Sequence, residues 1–191
     1  MYKRKARFIT QAAVIAALYV VLTYIANMFG MANGIVQVRI SEALTVLPYF
    51  TPAAIPGLFI GCIISNTLTN STFVVYDIIF GSLATLVSAC ASYALRKYKF
   101  AVPIPPIIIN SLTVPIIYNI FLRLDDHTFW ASVGLVGAGE VISCGVLGIA
   151  LILALEDYKD KLFPDDNPKS NKEETDSAKE NSEQSNIKKE S

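Results

Sequence analysis

The first 155 residues contain few acidic side chains, and long stretches of them contain no charge. Only five of the sixteen aspartates and glutamates lie in residues 1–155, and eleven lie in residues 156–191. The chain has 17% charged residues, against about 25% in a typical soluble domain. The uncharged stretches are residues 8–38, 43–76, 78–95 and 100–122. These lengths exclude an ordinary soluble domain and indicate membrane helices, each of which needs roughly 20 apolar residues.

Sequence motifs for catalysis and metal binding are also missing. The chain has no GxxxxGK[ST] phosphate-binding loop and no HExxH or GxSxG motif, so we expect no ATP hydrolysis and no other enzyme activity. Three cysteines (Cys62, Cys90 and Cys144) lie far apart in apolar surroundings and without a CxxC pair. We interpret them as core residues and expect neither a metal nor a cofactor. The few basic residues lie at the ends of apolar stretches, which argues against nucleic-acid binding.

The apolar stretches predict an all-α integral membrane protein, a compact bundle of about six transmembrane helices. Residues 1–155 are the expected transmembrane substrate-binding domain. Residues 156–191 are rich in Asp, Lys, Glu and Ser and are predicted to be a disordered cytoplasmic tail. The predicted helical segments are 8–29, 39–51, 55–70, 74–96, 103–123 and 129–155.

The number of crossings depends on residues 39–70, which are short for two helices. Basic residues prefer the cytoplasmic side of a membrane, and they cluster here at 3–7, at 96–99 and at Lys159 with Lys161. A single crossing by residues 39–70 would leave the 96–99 cluster outside, whereas two crossings place all three clusters inside. We therefore predict a multi-pass protein of the bacterial cell membrane with both termini cytoplasmic. The predicted external loops are 30–38, 71–73 and 124–128.

Ionisable side chains inside a bilayer are costly and are candidates for function. Glu140 lies near the middle of the last predicted span, and Arg39 precedes Glu42 by one helical turn. A buried structural carboxylate at 140, or an Arg39–Glu42 pair that caps a short helix, would also explain these residues. Six polar side chains are predicted to line a pocket that opens outward: Arg39, Glu42, Asn66 and Asp77 near the external face, and Glu140 and Asn110 deeper. Its excess negative charge suits a neutral or cationic ligand.

Two further patterns allow more than one reading. Aromatic residues at the external level (Tyr24, Tyr76, Phe129 and Trp130) could stack on a flat ring, although aromatic side chains are expected at any membrane interface. Small residues that permit close helix contact form overlapping AxxxA patterns in the first span: Ala12, Ala13, Ala16 and Ala17. Packing within the chain explains this alanine pattern as well as docking to a partner does.

Three stretches resemble the QueT-type queuosine-precursor transporter family. They are residues 37–61 (QVRISEALTVLPYFTPAAIPGLFIG), residues 77–86 (DIIFGSLATL) and residues 137–140 (GAGE). The resemblance covers roughly residues 8–155, and the first stretch is long and specific. It implies a substrate-binding (S) component of an energy-coupling factor transporter, a protein of about six helices that captures a vitamin-like solute.

The resemblance also implies partners and a ligand. S components work with a transmembrane T component and a pair of ABC-type ATPases, which fits the missing phosphate-binding loop. In the wider class, alanines of the first helix face the T component, and the four alanines above match them in type and place. The implied substrate is a deazaguanine-like precursor such as the aminomethyl form. Glu140, Glu42 and Asp77 are candidates for its guanine-like edge and its ammonium arm, and Asn66 or Asn110 for its ring carbonyl.

Two other functions remain open at the level of sequence. The chain could be an S component for another vitamin or purine-like solute, which competition between ligands would reveal. It could also be a structural membrane subunit that transports nothing, in which case neutral amides at the three carboxylates would leave uptake unchanged. A membrane-embedded enzyme is the weakest alternative, because the sequence offers no nucleophile or metal constellation.

Overall fold

The computed structural model describes residues 2–30, 39–68, 74–123 and 125–163. Within these ranges the regular structure is entirely helical, which confirms the all-α prediction, and the helices after the first end within a few residues of the predicted bounds. The predicted disordered tail beyond residue 163 and the predicted loops at 30–38 and 71–73 lie wholly or almost wholly outside the described residues. The elements are α1 (Tyr2–Met28), a 3₁₀ helix (Ile40–Tyr49), α2 (Ala54–Leu68), α3 (74–94), α4 (Ile104–Leu122), α5 (Asp126–Glu156) and α6 (Lys159–Leu162).

Two of the long helices change their winding along their length. The α3 helix contains a π-helical segment at Asp77–Gly81, and α5 contains another at Val141–Leu147. In a π turn the hydrogen bonds skip one more residue than in an α-helix, and such turns occur frequently at functional sites. Asp77 is the first residue of one segment and Glu140 directly precedes the other; both are acidic residues singled out in the sequence.

The 3₁₀ helix forms the centre of the protein. Every side chain from Ser41 to Pro48 is buried, and the helix is packed by α1, α2, α3 and the π segment of α5. A helix that is buried on all sides belongs to a protein core. The short second helix predicted at 39–51 therefore exists, as a 3₁₀ rather than an α-helix.

The α1 and α2 helices pack closely and run parallel. Backbone atoms of Ala12 lie 2.7 and 3.2 Å from where a Cβ on Gly57 would be, and backbone atoms of Ala16 lie 3.1 Å from the same point on Gly61. Residue numbers rise together along this interface, which defines the parallel direction. Glycines on one helix and alanines on the other allow the backbones to approach this closely.

The 3₁₀ helix returns between these two parallel helices. Its start meets the far part of α1, where Tyr19 contacts Glu42, and the turn after its end meets the near part, where Thr51 donates to Gln11 over 3.3 Å. The 3₁₀ helix is therefore antiparallel to α1. A segment of only ten residues thus brings the chain back to the end of the bundle at which α2 begins.

The later helices alternate in direction. The pairs Asn66–Asp77 and Cys62–Thr85 make α3 antiparallel to α2. The approaches of Gly137 to Ser111 and of Gly145 to Ile107 make α5 antiparallel to α4. As a result, the basic residues at 96–99 follow α3 at the end of the bundle where α1 and α2 begin.

The outer faces of the helices are apolar. Among the described residues, three helices are long and apolar enough to cross a membrane (Arg4–Met28, Asp77–Ala94 and Asp126–Glu156), and two apolar helices are shorter, Ala54–Leu68 and Ile104–Ile117. Most of each long span is not covered by the rest of the protein, and Val14 and Val21 are about half exposed. Apolar surface of this extent requires apolar surroundings, as in a bilayer.

The chain divides into two compact units, Met1–Ala154 and Leu155–Ser191. The first unit contains the five major helices and the 3₁₀ helix. In the second unit the described residues end at 163; they form the last residues of α5 and the single turn of α6.

Candidate functional site

Three polar side chains from three different helices meet in the core of the first unit. Glu42 belongs to the 3₁₀ helix, Asn110 to α4 and Glu140 to α5, and their exposed fractions are 2%, 7% and 5%. Polar groups are buried in a protein only where they find partners. The sequence analysis had placed Glu42 near the external face and the other two deeper, whereas the structure brings all three to one level.

The Glu42 carboxylate accepts a hydrogen bond on each of its oxygens. The hydroxyl of Tyr19, on α1, donates to Oε1 at 2.5 Å, and the side-chain amide of Asn110 donates to Oε2 at 3.3 Å. Both donors are themselves buried. The carboxylate is thus held in a fixed orientation between two helices that are far apart in sequence.

The second carboxylate is held by a cysteine one turn further along α5. The thiol of Cys144 donates to Oε2 of Glu140 at 3.2 Å, and its sulfur also lies 3.4 Å from the backbone carbonyl oxygen of Glu42. The Thr45 hydroxyl donates to that same carbonyl at 2.6 Å and lies 3.4 Å from the cysteine sulfur. Cys144 and Thr45 therefore tie α5 to the 3₁₀ helix beside both carboxylates.

Two acidic groups approach closely at this point. One carboxylate oxygen each of Glu42 and Glu140 and the sulfur of Cys144 all lie within 4.8 Å of one another. Arg39, the residue before the 3₁₀ helix, interacts electrostatically with both carboxylates. The two acids are therefore accompanied by one cation. We call Tyr19, Glu42, Asn110, Glu140 and Cys144 the carboxylate cluster.

The winding of the backbone places these groups. A 3₁₀ helix has three residues per turn, so Arg39, Glu42 and Thr45 follow one another along one side of this segment. On α5 the π segment begins directly after Glu140. Just beyond the segment, a Cβ on Gly148 would lie only 2.7 Å from Cγ1 of Val46, so the glycine lets α5 approach the 3₁₀ helix.

Two buried hydroxyl groups next to the cluster lack a partner. The side-chain oxygens of Ser41 and Ser143 have no hydrogen-bond partner within the described part of the chain. Each serine is adjacent in sequence to a member of the cluster. Unsatisfied buried polar atoms are uncommon in native proteins, and the buried hydroxyls of Ser82 and Ser88 on α3 share this state.

Asn66 and Asp77 form a separate contact. The Asn66 amide donates to the backbone carbonyl of Asp77 at 2.8 Å and lies 3.4 Å from the sulfur of Cys62. This joins α2 to the π segment of α3. The Thr85 hydroxyl of α3 donates to the same sulfur at 3.4 Å, so this second contact also joins α2 to α3.

The four alanines of α1 face two directions. Ala12 and Ala16 lie against the glycines of α2, so they pack within the chain. Ala13 and Ala17 are turned about 100° away from them and are exposed. Only this second pair therefore offers an alanine surface to another protein.

Other side chains noted in the sequence also point outward. Tyr24 and Trp130 are more than 60% exposed, and Tyr76 stacks in parallel on Phe80 with ring centroids 6.4 Å apart. The prediction that all three cysteines are core residues is wrong for Cys90, which is exposed, and holds for Cys62 and Cys144. An apolar stretch of sequence does not distinguish a lipid-facing position from a core position.

Sequence reasoning missed three members or neighbours of the cluster. Cys144 follows Glu140 by four residues and Thr45 follows Glu42 by three, so helical spacing alone could have suggested both. Tyr19 carried no such signal, because nothing in the sequence of its span distinguishes it from Tyr24. The two carboxylates and the thiol are chemically able to bind a divalent ion, but all three already take part in hydrogen bonds with protein groups, and we assign no metal to them.

Comparisons with known proteins bear on this cluster. The sequence model of the QueT transporter family matches residues 9–157. The Queuosine precursor transporter QueT of Lactococcus lactis subsp. cremoris (strain MG1363) is 40% identical over 87 residues, which are 46% of this chain and 50% of that protein. The chain thus matches about half the length of this curated relative. No solved structure matches the chain at a significant level.

Proposed function

Because the chain belongs to the QueT transporter family, we propose that it is a membrane-embedded substrate-binding component for uptake of a queuosine precursor. A relative that is 40% identical over 87 residues carries that substrate in its name. The observation that carries the proposal is the burial of two of the five acids of residues 1–155 side by side, with donors from α1, α4 and α5 around them. A transporter-family membrane protein of this kind is not expected to catalyse a reaction itself.

The proposed ligand is a deazaguanine with an aminomethyl arm. A guanine-like edge presents two N–H donors that one carboxylate can accept together, and an ammonium arm needs a second carboxylate. Glu42 and Glu140 supply this pair, and the Asn110 amide is placed to bind a ring carbonyl. On binding, the ligand would replace neutral donors such as the Tyr19 hydroxyl and the Cys144 thiol, and Ser41 and Ser143 offer further hydrogen bonds.

The proposal gives other roles to the three remaining residues of the predicted site, Arg39, Asn66 and Asp77. Arg39 offsets part of the negative charge of the two carboxylates. Asn66 positions the π segment of α3 beside the site through its bond to the Asp77 backbone. The Asp77 side chain is half-buried near the start of α3, and we propose Glu42 and Glu140 ahead of it as the ligand carboxylates.

We further propose six membrane crossings, with both termini cytoplasmic. The parallel α1 and α2, with the 3₁₀ helix returning between them, support two crossings by residues 39–68. Because α3 runs antiparallel to α2, the basic residues 96–99 then lie at the same end of the bundle as Arg4 and Arg7. This distribution follows the preference of basic residues for the cytoplasmic side of a bacterial cell membrane.

Partners would provide the energy for transport. The sequence has no phosphate-binding loop, so a transmembrane T component and a pair of ABC-type ATPases are proposed as partner chains. The exposed alanines Ala13 and Ala17 lie on the α1 face that remains open after α2 has packed against Ala12 and Ala16, and we propose this open face for docking. No cofactor is required in this scheme.

Binding by the purified full chain tests the function directly. Aminomethyl-deazaguanine should bind saturably in calorimetry and raise the thermal unfolding midpoint. Glu42→Gln and Glu140→Gln should each cost about 2–5 kcal/mol of binding, a loss of roughly 30-fold or more. The matched control is Asp126→Asn, which changes an exposed acid and should bind normally.

The other results would each point elsewhere. Preference for a different vitamin or purine-like solute would keep the transporter and change its substrate. Absence of binding by folded protein, together with unchanged uptake by both glutamine variants, would favour a structural subunit and contradict the proposal.

A further inference from the structure

The two carboxylates of the cluster are not balanced by an equal number of cations. Glu42 and Glu140 are 2% and 5% exposed, and their nearest oxygens lie within 4.8 Å. The titratable or charged groups that act on the pair come from α1, the residue before the 3₁₀ helix, α2 and α5: Tyr19, Arg39, Cys62 and Cys144. Among these four only Arg39 is a cation.

The remaining groups donate hydrogen bonds without bringing charge. The Tyr19 hydroxyl, the Asn110 amide and the Cys144 thiol are neutral donors to the carboxylate oxygens. Such donors favour an ionised carboxylate but leave its charge in place. With both acids ionised, the buried cluster would carry one uncompensated negative charge.

An uncompensated charge in a buried site is expensive, and two carboxylates that share a site do not both ionise readily. Without a ligand, the cheapest neutral arrangement is one proton bound to one of the two carboxyl groups. Arg39 then balances the one remaining negative charge. A neutral ligand would leave this arrangement unchanged.

A cationic ligand alters the balance, because its positive charge can take the place of the proton. We propose that the Glu42–Glu140 pair exchanges one proton for the positive charge of the ligand, an inference that rests on the proposed binding function. In this step one carboxyl O–H bond breaks and the proton passes to bulk water. An N–H···O contact from the ligand ammonium forms in its place, so the charge of the site stays constant.

The exchange makes binding depend on pH in a definite direction. Since the free protein holds one more proton than the complex, raising the pH favours the complex. The dissociation constant of the cationic ligand should fall by up to about tenfold for each unit of pH over the range in which the free pair holds its proton. A neutral analogue should show no such slope.

Calorimetry of the full chain measures the proton directly. Aminomethyl-deazaguanine and the corresponding deazaguanine without the amine are titrated in two buffers of different ionisation enthalpy at one pH. The expected result is release of about one proton per cationic ligand and of none per neutral ligand. Infrared difference spectra provide a second readout, in which the carbonyl band of a protonated carboxyl group disappears as the cationic ligand binds. Glu42→Gln and Glu140→Gln should each lack this band before any ligand is added.

The outcomes separate this inference from the function on which it rests. Binding of the cationic ligand without proton release, or equal pH slopes for the two ligands, would overturn the exchange and leave the binding function standing. If neither deazaguanine bound to folded protein, the function and the exchange would fall together.

Discussion

A Cβ atom on Gly61 would lie 2.9 Å from the Cβ of Tyr19, so α2 has room for this tyrosine only because it carries glycine there. The same tyrosine reaches past the helix interface, and its hydroxyl donates a hydrogen bond to Glu42. Packing between α1 and α2 is therefore connected directly to the orientation of a carboxylate in the cluster. A change on the lipid-distant side of α2 can alter the site without touching any of its polar groups.

Gly61→Ala should destabilise the protein and weaken ligand binding. The added methyl group meets backbone atoms of Ala16 at 3.1 Å as well as the tyrosine, and neither helix can yield without losing contacts elsewhere. Overpacking of this kind typically costs about 1–3 kcal/mol of stability. Replacing glycine by alanine in a helix gains about 1 kcal/mol, so we expect a net loss of up to about 2 kcal/mol. Thermal unfolding in detergent with and without ligand measures both effects.

The matched control is Gly134→Ala in α5, where an added Cβ meets nothing within 4 Å. It should keep or slightly raise the unfolding temperature. A Gly61→Ala variant as stable as this control would contradict the close parallel packing of α1 and α2.

Tyr19→Phe should leave the helices in place and perturb the cluster. The substitution removes only the hydroxyl, and it leaves an oxygen of Glu42 without its closest donor. The cost of such an unsatisfied buried acceptor is about 1–3 kcal/mol, to be measured as a lower unfolding temperature. Tyr24→Phe serves as the comparison, because Tyr24 is 62% exposed; equal behaviour of the two variants would argue that Tyr19 does not hold the carboxylate.

Labelling of introduced cysteines tests the direction of the helices in the membrane. In a background in which Cys62, Cys90 and Cys144 are replaced, Lys97→Cys should be protected from a membrane-impermeant maleimide applied to intact cells. Asp126→Cys, at the start of α5, should react. Reaction of both positions, or of Lys97→Cys alone, would refute the six-crossing arrangement.

The positions of the helices could be predicted because their ends are set by strong local signals. Prolines, short polar runs and charged residues interrupt the apolar stretches, and the bilayer fixes the length between them. The two central carboxylates could also be predicted, since an acid within an apolar span is rare enough to be noticed. Glu42, Asn110 and Glu140 lie together in the structure, and their role in ligand binding stays a prediction.

The type of each helix and the side of it that is buried could not be predicted, because both depend on tertiary packing. Whether residues 40–49 form a 3₁₀ or an α-helix is decided by the helices around them. The same holds for the direction of Ala13 as against Ala12, and for the exposure of Cys90. Tyr19 is chemically indistinct from the other tyrosines until the fold brings Glu42 to its hydroxyl.

The tight coil of the ten-residue central helix has a geometric consequence for the protein. At about 2.0 Å per residue it spans about 20 Å, some 5 Å more than the same residues would as an α-helix. Rewinding these residues into an α-helix would shorten the segment. Side chains three residues apart, which are aligned in a 3₁₀ helix, would then differ in direction by about 60°. Thr45 would turn out of line with Glu42, and Arg39 and Phe50 at the two ends would be drawn closer together. The 3₁₀ winding of this short segment thus determines both how deep Glu42 lies in the bundle and the direction in which its side chain points.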